Sequence, residues 1–352
     1  MAGARPETWV LGLETSCDET AAAVVADGRV VRSNVVASQT ALHAAYGGVF
    51  PEMASRQHVR DVALAVLRAL ADAGASWDDL SAIAVTRGPG LSGSLLVGLN
   101  AAKGIALARG LPLVGVNHLE GHLYSNWLHR DGALRTPALA PAPAPDDDPP
   151  FPHLALIVSG GHTELVHVRG HGDYEVLGAT RDDAAGEAFD KAARMLGLGY
   201  PGGPAVERAA AGGDASAARL PIAATASPYD FSFSGLKSAL RREIEGRAAR
   251  GEPPGVADLA ASFQVAVVGA LVAGARRALA DRPSRALLVA GGVSANGALA
   301  AALREAVDVP VRVPPFALCT DNAAMIAAAG TWRLRAGQTD DLAVDADPNL
   351  GL

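Results

Sequence analysis

Residues 153–178 read HLALIVSGGHTELVHVRGHGDYEVLG. A short apolar run ends in Ser159-Gly160-Gly161. Alternation then resumes at Thr163, and a Gly-containing loop precedes a third alternating run. This predicts strand, glycine turn, strand, loop, strand. Residues 9–31, WVLGLETSCDETAAAVVADGRVV, repeat the pattern with a polar turn and an Asp-Gly hairpin. The two segments agree in pattern and hardly in residue identity. Such a start near the head of each half predicts a duplicated lobe.

Between them β and α signals alternate. Residues 51–74, PEMASRQHVRDVALAVLRALADAG, read as an amphipathic helix closed by Gly74. Residues 80–90, LSAIAVTRGPG, read as a buried strand entering a Gly-Pro-Gly turn. A helix over 91–110 and strand then helix over 111–128 follow. RALLVAGGVSANGALAAALREA, 285–306, is strand, Gly-Gly, then a helix starting near Ser294 to Asn296. PPFALCTDNAAMIAAAGTWRLRAG, 314–337, is a loop feeding a helix. This alternation predicts a layered α/β core. The expected division is a first lobe at 8–135, a second at 153–320, a helix at 321–335 packing back on the first lobe, and a tail at 336–352. Residues 136–152, rich in Pro, Ala and Asp, are expected to be a flexible or extended connector.

The chain has 352 residues, 49% of them hydrophobic and 19% charged, enough for a two-lobed core. Lys and Arg number 30 against 37 Asp and Glu, a net charge of −7. Bulk electrostatics therefore does not wrap it in nucleic acid; such a partner needs a local basic patch or a helper subunit. Arg56, His58 and Arg60, and the run KSALRREIEGRAAR with Lys237, Arg241, Arg242, Arg247 and Arg250, are the local basic segments. Charge runs of this kind are as readily solvated helix faces. Cys17 and Cys319 are the two cysteines. They exclude a thiolate zinc cluster or disulfide framework and suit a reducing cytoplasm. No signal peptide is expected, since the start lacks a long apolar run and meets Glu14 early. The nearest apolar run to spanning length, 93–116, is broken by Lys103 and Arg109, so no membrane segment is expected.

Three features carry chemistry. His118 and His122, spaced i and i+4 in NHLEGHLYS, share one face if that segment is helical. They read as two ligands of one metal ion or as two unrelated packing histidines. Glu120 falls off that face, so the His-Glu-x-x-His protease arrangement is missing. Asp321 is the best third ligand, although its place before a helix equally suits an N-cap. Second are the glycine turns at Val158-Ser159-Gly160-Gly161, Pro201-Gly202-Gly203-Pro204 and Gly291-Gly292 through Asn296. Gly-Gly after a buried strand lets backbone N–H groups approach a phosphate, and turns also need glycine for their own sake. None fits the P-loop pattern. Third, Asp190 beside Lys191 is read either as a partner for a substrate hydroxyl or as part of a solvated helix face.

The glycine turns resemble those of the actin-like, sugar-kinase and heat-shock ATPase (ASKHA) fold, whose two lobes each present a glycine hairpin to a nucleotide in the cleft. Ten segments in order make the resemblance narrower: GLETSCDETAAAVV, GGVFPEMASRQH, VTRGPGLSGSLLVGLNAAKGIA, GVNHLEGHLYS, LIVSGGHTELVHV, GEAFDKAARMLGLGYPGGPAVE, DFSFSGLKSA, DLAASFQVAVV, LLVAGGVSAN and PPFALCTDNAAMIA. From about residue 9 to 332 they resemble the tRNA N6-adenosine threonylcarbamoyltransferase family, TsaD, in its bacterial branch.

That resemblance implies an ASKHA fold with one divalent metal ion, Fe2+ with Zn2+ as the alternative. His118, His122 and Asp321 match the family's metal positions. Ile157, Val158, Ser159, Gly160, Gly161, Asp190, Gly203, Glu207 and Asn296 match its substrate positions. At 207 bacterial relatives often carry Asp, so Glu207 departs slightly. The implied substrates are threonylcarbamoyl-AMP and tRNA. The implied partners are the inactive paralogue TsaB and the small ATPase TsaE, with the first lobe's exposed helices as the docking face. No catalytic residue is implied beyond the metal site, and Cys17 is expected to be structural rather than a nucleophile. The rival readings are a glycoprotein endopeptidase, a small-molecule carbamoyltransferase and a nucleotide-responsive scaffold.

Overall fold

In the computed structural model, which describes residues 7–130, 148–253 and 255–352, the chain opens with three strands in antiparallel succession. They are β1 (Trp9–Glu14), β2 (Glu19–Ala26) and β3 (Val30–Ser38). Between β2 and β3, Asp27 and Gly28 form the centre of a tight turn with φ of 53° and 71°, closed by Arg29 N–H on Ala26 O at 3.0 Å; such a left-handed pair follows strand twist. α1 (Thr40–Ala44) and α2 (Pro51–Ala73) come next. α2 stops at Gly74, whose φ of 64° turns its N–H back onto the carbonyls of Leu70 and Ala71. β4 (Ala82–Gly88), α3 (Ser92–Arg109), β5 (Leu113–Asn117), α4 (His118–Tyr124) and the short β6 (His129–Arg130) follow. The sheet order is β5-β4-β1-β2-β3-β6, with β4 parallel to both β1 and β5. Leu11, Leu13, Ile83 and Val85 point from this sheet into a core closed by Val66 of α2 and Leu99 of α3.

The second run of elements repeats this plan. β7 (His153–Val158), β8 (Thr163–Gly170) and β9 (Asp173–Ala179) are again antiparallel in succession. α5 (Ala185–Met195), α6 (Gly202–Ala210), α7 (Ser234–Ala249), α8 (Val256–Asp281), β10 (Leu287–Ala290), α9 (Gly297–Ala306) and β11 (Val311–Arg312) complete it. The order β11-β10-β7-β8-β9 matches β5-β4-β1-β2-β3 strand for strand in sequence and direction. This is the duplication expected from the two strand-turn-strand starts. β7 is buried along its whole length, which is why it reads as a continuous apolar run rather than an alternating one.

α10 (Phe316–Cys319) and α11 (Ala323–Arg335) return to the first sheet, where α11 packs on β1, β2 and β4. The chain thus forms two units, Met1–Pro149 with Pro314–Leu352, and Pro150–Val313. Most of the Pro/Ala/Asp-rich connector expected at 136–152 lies outside the described residues.

Two readings change. Gly202 and Gly203 do not make a turn but open α6, with Pro201 as N-cap. The membrane-length candidate is also not the 93–116 run. Among the described residues, α8 is the one helix long and apolar enough to cross a membrane. Leu259, Phe263, Val267 and Leu271 recur every four residues along it and are wholly buried in the second unit's core.

Candidate functional site

Asn117 ends β5 and caps α4, so His118 is that helix's first residue and His122 sits one turn on. Their rings meet edge to face, 4.7 Å between centroids. Gly121 lies between them. A Cβ there would stand 2.6 Å from Ile326 Cδ1, so glycine lets α4 approach α11 closely. That approach brings in Asp321. The N-cap of α11 is Asn322, whose side chain accepts from Met325 N–H, so the Asp321 carboxylate is not the capping group.

Asp321 Oδ1 lies 3.1 Å from His122 Nε2 and 3.6 Å from His118 Nε2. One ligand atom from each residue falls within 4.8 Å of the others. Metal–ligand bonds of about 2.1 Å in tetrahedral array place ligand atoms roughly 3.4 Å apart, so the spacing suits one ion. His122 is fully buried, and neither of its ring nitrogens makes a hydrogen bond among the described residues. A buried imidazole so placed is costly unless something else takes up its lone pair. The donor set therefore fits a single metal ion.

Glu14, at the end of β1, was not singled out from the sequence as part of this site. It is fully buried, and its Oε2 accepts from His118 Nδ1 at 2.9 Å and from Thr86 Oγ1 at 2.7 Å. Its Oε1 accepts from Ser16 N–H at 2.5 Å. Burial alone would raise the Glu14 pKa, but the facing His118 and these hydrogen bonds hold it below the ordinary value. Burial alone would likewise lower His118, yet Glu14 and Asp321 raise it to about 9. The signal available was a carboxylate closing an otherwise apolar strand.

Glu120 points elsewhere. Its carboxylate, almost wholly buried, pairs with Arg333 Nη1 of α11 at 3.1 Å. It ties the two helices together and is not placed as a protease base. The Cys17 thiol is held well above its usual pKa by burial, then by Asp18 and Asp321, so it is a poor nucleophile at neutral pH. His58 is buried, bonded to Thr20 Oγ1 at 2.8 Å and to the Cys17 carbonyl at 3.0 Å. It is a packing residue, not part of a basic surface.

In the second unit the predicted substrate positions gather at one end of the sheet. Ile157 and Val158 finish β7, and Ser159 Oγ accepts from the N–H groups of Gly161 and His162. Ser159 O takes the Gly186 N–H at the start of α5. A Cβ on Gly291 would meet Ser159 Cβ at 3.3 Å, so the β10 turn abuts the β7 turn. Asp190 Oδ1 accepts from Gly202 N–H at 2.7 Å and anchors the start of α6, beside Gly203. Glu207 Oε1 accepts from Gly297 N–H at 2.7 Å, next to Asn296. Asn296 caps α9 through Leu299 N–H and donates to Gln264 Oε1. Gly186, Gly202 and Gly291 are forced by crowding, but among the described residues a Cβ on Gly160, Gly161 or Gly203 would meet nothing within 4 Å. Nor do these three have a left-handed φ.

A family model described as TsaD, tRNA N6-adenosine threonylcarbamoyltransferase, matches residues 30–328. The chain belongs to the TsaD family. A tRNA N6-adenosine threonylcarbamoyltransferase of Thermomicrobium roseum is 53% identical over 97% of this chain and 96% of its own length. One of Geobacillus kaustophilus is 51% identical over 98% and 97%. Among solved structures, T. kodakarensis HypF aligns with a TM-score of 0.61 at 14% identity, covering 94% of this chain and 48% of that one. Component A of the Acidaminococcus fermentans (R)-2-hydroxyglutaryl-CoA dehydratase aligns at 0.54 and 16%, covering 93% and 99%. These structures share the fold alone, and that fold is the ASKHA one.

The surfaces differ from the basic segments read in the sequence. On α7, Arg241, Arg247 and Arg250 pair with Glu245, Glu243 and Glu252. On α2, Arg56 and Arg60 are exposed one turn apart. Beyond them α2 and α3 flank an apolar groove of about 450 Å³, lined by Val62, Val66, Leu67, Trp77 and Ile105.

Proposed function

We propose that this TsaD-family chain moves the threonylcarbamoyl group from threonylcarbamoyl-AMP to N6 of adenosine-37 in tRNAs reading codons that begin with A. The observation that carries this reading is the meeting of His118, His122 and Asp321 in one ligand group. The N6 amine bonds to the carbamoyl carbon, and the bond from that carbon to the phosphate oxygen breaks. AMP leaves with the electron pair, and the amine's proton passes to solvent.

The acceptor amine is a weak nucleophile, since its lone pair is delocalised into the ring. A divalent ion, Fe2+ with Zn2+ as the alternative, supplies Lewis-acid polarisation and orientation of the donor when bound. His118, His122 and Asp321 hold it, and Glu14 fixes the His118 ring. Gly160 and Gly161 leave the backbone bare for a phosphate to approach, which the open space beside them supports. Asp190, Gly203, Glu207 and Asn296 frame the rest of the adenylate. No side chain forms a covalent intermediate, and Cys17 stays a thiol.

Arg56 and Arg60 are assigned to tRNA phosphates. The groove between α2 and α3 is assigned to the paralogue TsaB, with the ATPase TsaE completing a cytoplasmic system. Leu67, which lines that groove and is 58% exposed, supports a protein partner there. The test is a reconstituted reaction with labelled threonylcarbamoyl-AMP, unmodified tRNA, this chain, TsaB and TsaE. Label should reach tRNA only without chelator, Cys17→Ser should keep most turnover, and Leu67→Glu should lose TsaB on gel filtration. Label transfer that survives both chelator and Asp321→Ala would overturn the reading.

A further inference from the structure

Asn117 is engaged on both sides of its amide. Its Oδ1 accepts from the N–H groups of Leu119 at 2.8 Å and Glu120 at 3.3 Å, capping α4. Its Nδ2 donates to the carbonyls of Leu350 at 3.3 Å and Gly351 at 2.9 Å. Those carbonyls belong to residues 340–351, a strap along the edge of the first sheet. Asp340 N–H donates to Leu113 O at 2.8 Å, and Asp340 Oδ2 accepts from Gly115 N–H at 2.7 Å. Further on, Asp347 N–H donates to Arg87 O at 2.8 Å, and Pro348 O accepts from Gly90 N–H at 3.2 Å. Gly88 makes the room: a Cβ there would stand 1.8 Å from Asp347 O. The strap is held at fixed points along its length by backbone groups and by the Asn117 and Asp340 side chains, with Val344 and Ala346 packed on the first unit's core.

We infer that this strap, acting through Asn117, is a positioning element for the metal ligands, an inference that rests on the metal reading above. α4 has only seven residues, too few to be stable by propensity. Its first turn depends on the cap, and His118 is its first residue. Fraying there would break the spacing between His118 and His122. An amide that must donate to the strap cannot rotate, so its oxygen stays aimed at the helix N–H groups. The strap therefore keeps α4 ordered before an ion arrives, and less conformational freedom is lost on binding.

The test compares the full chain, a chain lacking residues 347–352, and the variants Asn117→Asp, Asn117→Ala and His118→Ala. Zn2+ affinity is read by competition with a chromophoric chelator, and exchange of the Leu119 and Glu120 amides is read in metal-free protein. Removing 347–352 should weaken Zn2+ binding about tenfold and speed exchange at those two amides. Asn117→Asp keeps the capping oxygen but cannot donate to the strap, and should do the same in the full chain. In the Asn117→Ala background the truncation should add nothing. Unchanged affinity and exchange in the Asn117→Asp chain would overturn the inference, as would an equal effect of truncation in both backgrounds. If the truncated chain fails to fold, the Asn117→Asp comparison decides. If the full chain and His118→Ala take up Zn2+ alike, the metal reading falls, and the exchange arm alone judges the strap.

Discussion

Glu14 Oε2 and His118 Nδ1 lie 2.9 Å apart in a fully buried contact between the end of β1 and the start of α4. The contact fixes the His118 ring so that Nε2 faces Asp321. Carboxylates behind ligating histidines both orient the ring and raise its basicity. Glu14→Ala should weaken divalent-metal binding about 10–100-fold. Glu14→Gln keeps an acceptor but not the charge and should fall between. Chelator competition measures both. Equal affinity in all three proteins would mean that the contact serves packing alone.

The metal group also depends on how closely α11 lies over the first sheet. A Cβ on Gly12 of β1 would stand 2.3 Å from Ala323 O and 2.7 Å from Ala327 N, both backbone atoms that cannot step aside. Gly12→Ala should cost about 3 kcal/mol or more of stability and displace Asp321, weakening metal binding with it. Gly104→Ala, at an exposed position inside α3 with open space around it, is the control: it should raise stability by about 0.5–1 kcal/mol and leave metal binding unchanged. Urea unfolding and metal titration read the two effects. A Gly12→Ala chain with unaltered stability would show that α11 adjusts freely.

The parts of this molecule legible in its sequence are those set by local chemistry. Short apolar runs on either side of a polar turn gave β1 and β2, Asp27-Gly28 gave the hairpin into β3, and Gly74 gave the end of α2. The spacing of His118 and His122 placed them on one helix face. What stayed hidden depends on distant chain. Glu14 reads as the start of a polar turn until Thr86 and His118 are seen around it. Residues 340–351 have no helix or strand periodicity to read, because scattered hydrogen bonds to Arg87, Gly90, Leu113, Gly115 and Asn117, with Val344 and Ala346 against the core, hold the strap. Gly202-Gly203 looks like a turn, and only Asp190, twelve residues earlier, makes it a helix start. His58 looks like part of a basic cluster because its partners, Thr20 and the Cys17 carbonyl, belong to the first two strands and their turn.

Gly160 and Gly161 separate a ligand's demands from the fold's. Among the described residues nothing within 4 Å would touch a Cβ at either position, and neither needs a left-handed φ. Gly→Ala at such a site removes freedom mainly from the unfolded chain and should stabilise by about 0.4–1 kcal/mol. The same methyl group would intrude on a phosphate laid against the backbone. Gly160→Ala and Gly161→Ala should therefore keep or raise Tm while KM for threonylcarbamoyl-AMP rises about tenfold, equivalent to about 1.4 kcal/mol. Unchanged KM in both variants would remove this loop from the donor site.

His153, at the start of β7, gives the second unit an acid-sensitive point away from the metal group. It is fully buried. Burial, together with His171, His167 and Arg312 nearby, outweighs the hydrogen bond from its Nδ1 to Pro150 O and lowers its pKa from 6.5 to about 4. Between those values the unfolded chain binds a proton that the folded chain refuses. The stabilisation is thus complete above pH 6.5 and lost as pH falls towards 4. From pH 7 to pH 5 this group alone should remove about 2 kcal/mol. His153→Gln has no such proton to take up. Urea unfolding at the two pH values should therefore show a drop smaller by about that amount in the variant. Parallel stability profiles for the two proteins would mean that His153 titrates as it does in the unfolded chain.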